Sequence, residues 1–121
     1  MNSGILKERT KRFALDVAKF CMDLKPTLSI LAYSKQLIRS SSSVGANYRA
    51  ACRAKSRADF INKLKIVEEE ADESIYFIEL IIELEPGSKT KGEILLKEGN
   101  EILAIMVSSI NTSRSKRDNT I

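Results

Sequence analysis

The sequence predicts an all-α chain folded as an up-down antiparallel four-helix bundle. Three observations predict it. Apolar residues recur at three- and four-residue spacing along four segments, the period of a helix face and not of a strand. Chain breakers are scarce, with five glycines and two prolines in 121 residues. Hydrophobic residues make up 43% of the chain, aromatics only 6%, and Trp is absent, so one aliphatic core is expected within a single domain.

The first helix is carried by Ile5, Phe13, Val17, Phe20 and Leu24, with Pro26 marking its end and Thr27 or Ser29 able to cap the next. The second, from about Leu28 to Ala54, repeats through Ile30, Tyr33, Leu37, Ser40, Val44, Tyr48 and Ala51. By composition, Ser40-Ser41-Ser42-Ser43-Val44-Gly45-Ala46 resembles a loop. The periodicity passes through it without a phase break, which predicts one helix with a belt of small residues that lets a neighbour approach closely. The alternative is a break near Ser41–Ser43. Asn47 lies beside this stripe, either fixing register through an inter-helix hydrogen bond or facing solvent.

Ser56-Arg57-Ala58-Asp59 is a variant capping box with Asp in place of Glu. The third helix follows, with Phe60, Leu64, Val67, Ala71, Ile75, Ile78 and Ile82 as its main stripe. Ile61, Phe77, Ile81 and Leu84 widen that stripe, so burial on two sides is expected, one of them a subunit interface. Pro86-Gly87-Ser88 is a stop and turn. The fourth helix is expected from about Thr90 to Thr112, giving a bundle over residues 1–112. The polar, aperiodic stretch 113–121 reads as a disordered tail.

Charge is unevenly spread. Residues 1–65 hold 14 Lys/Arg and four Asp/Glu, a net of +10, whereas residues 66–121 hold six and 12, a net of −6. A basic half can mark a nucleic-acid face, or it can neutralise an acidic neighbour within or between subunits. Arg49, Arg53, Lys55, Arg57 and Lys63 cluster around the junction of the second and third helices. They are the candidate phosphate-contacting patch, with Tyr48 alongside for base stacking.

Catalysis has little material. The absence of histidine removes the commonest general base, the Ser-His and Cys-His pairs and a frequent metal ligand. Helical spacing spreads Glu68-Glu69-Glu70-Asp72-Glu73 around the wheel, which reads as an exposed acidic face and not a cation site. No glycine-rich phosphate loop occurs, and no cofactor or metal is expected. Cys21 and Cys52 read as reduced, partly packed thiols. With neither a signal peptide nor a membrane-spanning run in the sequence, a cytoplasmic, non-enzymatic protein is expected.

Three blocks resemble a known family. They are Arg39-Ser40-Ser41-Ser42-Ser43-Val44-Gly45-Ala46-Asn47-Tyr48-Arg49, Ser56-Arg57-Ala58-Asp59-Phe60-Ile61-Asn62-Lys63-Leu64, and Glu69-Glu70-Ala71-Asp72-Glu73-Ser74-Ile75-Tyr76-Phe77-Ile78-Glu79-Leu80. Together they are similar to the bacterial four-helix bundle family of the 23S rRNA intervening-sequence proteins. Two positions depart from it: Ala50 stands where Glu is expected and Phe77 where Trp is frequent. The resemblance implies an up-down bundle assembled as a ring-shaped homopentamer, with an RNA association and no catalytic residues to carry over. The leading expectation is an oligomer that binds RNA or another nucleic acid through the basic patch. The alternative is a structural or protein-interaction module that does not touch nucleic acid. Ser41, Val44, Gly45, Asn47 and Tyr48 are the expected oligomer interface, together with parts of the third and fourth helices.

Overall fold

A computed structural model describes the backbone of residues 2–119 and the side chains of residues 2–116. Four α-helices run in order: α1 Ser3–Met22, α2 Leu28–Cys52, α3 Arg57–Leu84 and α4 Lys89–Asn119, with a short 3-10 turn at Pro86–Ser88 between the last two. The starts follow the local chemistry. Asn2, Thr27 and Ser56 sit in extended backbone and accept the amide protons of Ile5, Ile30 and Asp59. Each cap satisfies a helix-end donor that has no partner inside the helix. The variant capping box at Ser56 therefore works as an N-cap, at 3.1 Å to the Asp59 amide.

Short connections make consecutive helices antiparallel. Each helix packs on its sequence neighbours and α4 closes against α1, while the diagonal pairs α1–α3 and α2–α4 stay apart. The cross-section is thus a square in chain order. Phe13, Val17, Leu37, Leu64, Ile78, Ile102 and Met106 are essentially solvent-free at its centre. α3 is buried on two sides because it packs against both α2 and α4. Much of the apolar excess expected to serve a subunit interface is therefore used inside the chain. Phe77 packs among aromatic neighbours: its ring centre lies 6.1 Å from that of Tyr33 and 5.5 Å from that of Tyr76.

The serine run does not break α2, which is continuous from Leu28 to Cys52. Its hydroxyls bond back to the preceding turn, Ser40 to the Leu37 carbonyl and Ser43 to the Arg39 carbonyl. The belt serves α1. A Cβ added at Gly45 would lie 3.3 Å from Thr10 Oγ1 and 3.5 Å from the Thr10 carbonyl carbon. On α4, Gly92 and Gly99 play a similar part toward α3, where a Cβ at 92 would meet the Ile82 side chain at 2.6 Å and one at 99 the Ile75 side chain at 3.1 Å.

One boundary differs from expectation. α4 continues to Asn119, seven residues beyond Thr112, so 113–119 is helical and not an irregular tail. No Gly or Pro interrupts the segment, and Arg and Lys within it are good helix formers, so propagation costs little once the apolar face has nucleated the helix. The part of the expected tail at 120–121 lies outside the described residues.

Candidate nucleic-acid interface

Two of the five basic residues picked from the sequence share a groove with two that were missed. Arg49 lies in the last turn of α2 and Arg53, four residues on, caps its C-terminal end. Across from them Lys7 and Lys11 project from α1, also four apart, and all four line one groove between the helices. A spacing of four corresponds to about 6 Å of rise along a helix. The small residues Gly45 and Ala46 form part of the groove wall, and Glu8 is its one acidic lining residue. No ion pair engages Lys7, Lys11, Arg49 or Arg53 among the described residues.

The other three candidates are placed differently. Lys55 is exposed in the turn between α2 and α3, and Arg57 is exposed at the start of α3, so both extend the basic surface around this end of the bundle. Lys63 is half-buried and lies 3.6 Å from Asp59 in a same-helix ion pair, which leaves it less available. The acidic cluster does not neutralise the patch within the chain. Glu70 and Glu73 instead hold Arg39, on the α2–α3 side, and Arg9 is held by Glu98 and Glu101 of α4.

Tyr48 was expected beside the patch as a stacking surface. It is instead core, 6% exposed. Burial pushes its phenol up from its ordinary pKa, and the neighbouring Cys52 thiol adds to the effect. Cys21 is similarly raised by burial, offset in part by a hydrogen bond with Ser34. The groove has no aromatic lining residue, so it offers cations without a base-stacking platform.

Of the five residues expected at an oligomer interface, three are buried within the chain and Gly45 and Asn47 are half-buried. Ser41 and Val44 have no exposed surface and Tyr48 almost none, so these side chains pack within one chain. Gly45 is occupied by α1, and Asn47 donates to the Ser43 carbonyl of its own helix at 2.9 Å. The residues that register α2 on α3 are Ser40 and Ser74, whose hydroxyls are 2.9 Å apart. Ser40 on the apolar stripe of α2 is the sequence signal for this contact, and its partner Ser74 was not anticipated. The helix they face is settled only by the three-dimensional packing.

No three His, Cys, Asp or Glu side chains converge as a metal site among the described residues. No helix is long and apolar enough to cross a membrane.

Comparison with known proteins agrees with this architecture. Residues 5–108 match the model of the 23S rRNA-intervening sequence protein family. A solved structure from Bacteroides thetaiotaomicron, of a protein of unknown function from the S23 ribosomal protein family, is 36% identical. The match covers 92% of this chain and 99% of that one, with a TM-score of 0.82. No curated protein matches the chain.

Proposed function

We propose a function from one premise: the chain belongs to the 23S rRNA-intervening sequence protein family. It acts as a non-catalytic, bacterial, cytoplasmic oligomer that associates with RNA through the basic groove between α1 and α2. The observation that carries this reading is the set of four cations, Lys7, Lys11, Arg49 and Arg53, facing one groove without ion-pair partners among the described residues. Unpaired cations along a groove attract a phosphate backbone and release its counterions on binding. Lys55 and Arg57 enlarge the basic field and aid steering.

Contacts of this kind position a nucleic acid without reading its bases. With Tyr48 buried, sequence selectivity has no stacking residue in the groove to rest on, and structured RNA is bound by its backbone. In a homo-oligomer, a pentamer by family resemblance, symmetry repeats the groove. Modest affinity at each copy then becomes avidity when one RNA spans several of them.

The test is fluorescence anisotropy with several structured RNAs of unrelated sequence, using the intact chain and the Arg49→Glu/Arg53→Glu variant. The reading expects weaker binding to all of them by a similar factor. Unchanged affinity removes the groove from the function.

A further inference from the structure

The last turns of α4 carry cations that the α1–α2 groove does not use. From Ile102 to Arg117 the sequence has no acidic residue, and Arg114, Lys116 and Arg117 close the run. These cations lie past residue 108, where the match to the family model ends. Their segment continues the helix to Asn119, so it holds side chains at set heights and angles.

Register gives the heights. On α4, Gly92 lies against Ile82 of α3 and Phe20 of α1, and Gly99 lies against Ile75 and Phe13. Continued along the antiparallel helices, this puts Ser109 level with Ser3, the first residue of α1. Residues 110–116 run about 10 Å past that point, at 1.5 Å per residue. The same register puts Arg114 level with Phe60 in the first turn of α3. Ser40 meets Ser74 across α2 and α3, which puts Arg53 at the height of Ile61. The end of α4, the α2–α3 turn and the Gly4–Arg53 end of the groove therefore share one end of the bundle.

Helical angle gives the directions. Ile105 and Ser109 share a groove with Leu6 of α1, and steps of three and four carry that flank through Thr112 to Lys116. Leu103 and Val107 border α3 at Lys65 and Glu68, and two turns on that flank reaches Arg114. Arg114 and Lys116 are exposed, and neither is ion-paired among the described residues. Residues 2–8, 47–63 and 110–116, which form this end, hold eight Lys/Arg and two Asp/Glu. Asp59 is one of the two, and Lys63 holds it. At the opposite end the cations are matched: Lys91 pairs with Asp23 and Lys89 with Glu93.

We propose that the end of α4 is a second phosphate-contacting element, so that RNA seated in the α1–α2 groove runs on over this end of the bundle to Arg114 and Lys116. Thr112 and Ser115 place exposed hydroxyls beside them for phosphate and sugar oxygens. The proposal rests on the RNA reading of the groove and deepens it: the ligand is a backbone longer than the groove, held by two elements far apart in sequence.

The experiment measures affinity for one structured RNA by fluorescence anisotropy across a salt series. Arg114→Gln/Lys116→Gln removes two charges and keeps good helix formers. It is expected to bind about 10–30-fold more weakly near 0.15 M salt, with a log–log slope flatter by about 1.4–1.8. Lys89→Gln/Lys91→Gln removes the same net charge from the opposite end and is expected to bind like the intact chain. Unchanged affinity for Arg114→Gln/Lys116→Gln, while Arg49→Glu/Arg53→Glu still weakens binding, would overturn this proposal and leave the groove standing. An equal loss in the Lys89→Gln/Lys91→Gln control would also overturn it, since overall charge would then explain the effect. No RNA binding by the intact chain would remove the groove and the extension together.

Discussion

Ser74 on α3 donates its hydroxyl to Ser40 on α2 across 2.9 Å, and both side chains are fully buried. Ser40 in turn donates to the Leu37 carbonyl, so the pair forms a short chain between two helices in an otherwise aliphatic core. Sliding α2 past α3 would break this bond and leave each hydroxyl only the carbonyl of its own helix, Leu37 for Ser40 and Glu70 for Ser74, which favours the observed register of α2 on α3. Ser74→Ala is expected to cost about 0.5–1.5 kcal/mol in urea unfolding. Adding Ser40→Ala should cost less than its own single substitution does, because the bond it shares with Ser74 is already gone. Simple additivity of the two would mean the pair is not coupled.

Gly45 sets how close α1 can come. The adjoining Thr10 is fully buried and its hydroxyl donates to the Leu6 carbonyl at 2.8 Å, so it cannot move aside freely. Gly45→Leu should therefore overpack the seam and destabilise by about 1–3 kcal/mol, outweighing the gain of about 1 kcal/mol from replacing a helical glycine. A raised melting temperature would show that α1 does not press on this position.

Stability at alkaline pH is expected to depend on a half-buried thiol and a buried phenol. Burial raises the pKa of the Cys21 thiol above its ordinary 9.0 and that of the Tyr48 phenol above its ordinary 10.0. A raised pKa means that the folded state favours the neutral form. Their contribution is complete below the ordinary values and is lost as pH climbs through the folded ones. Thermal melts should hold steady to pH 9 and then decline. Tyr48→Phe, which keeps the ring and removes the proton, should decline less steeply above pH 10 than the parent. Identical alkaline slopes would assign the decline to other groups.

Helix number, order and type were legible because long periodic stripes, an N-cap serine at 56 and the Pro86-Gly87-Ser88 stop all agree locally. The continuity of α2 through Ser40–Ser43 was legible for the same reason. The small-residue belt was legible as a close contact but not as a contact with α1, since a helical wheel shows which face is small and not which neighbour presses on it. Tyr48 could not be placed in the core from its neighbours Asn47 and Arg49 alone. Its position on the Leu37–Val44–Ala51 stripe was the better guide. Half of the basic groove was hidden because Lys7 and Lys11 lie some 40 residues before Arg49, and only antiparallel packing brings them together.

The central claim, that the α1–α2 groove binds a phosphate backbone, is tested most directly by the salt dependence of RNA affinity. Each phosphate contact contributes about −0.7 (single-stranded) to −0.9 (duplex) to the log–log slope, so removing Arg49 and Arg53 should flatten it by about 1.4–1.8 per bound groove. The measurement is RNA affinity across a salt series for the intact chain and for Arg49→Glu/Arg53→Glu, with assembly mass recorded on the same samples. The account predicts a steep slope for the intact chain, a shallower one for the variant, and equal masses. Equal slopes, or no binding by the intact chain at low salt, would contradict it.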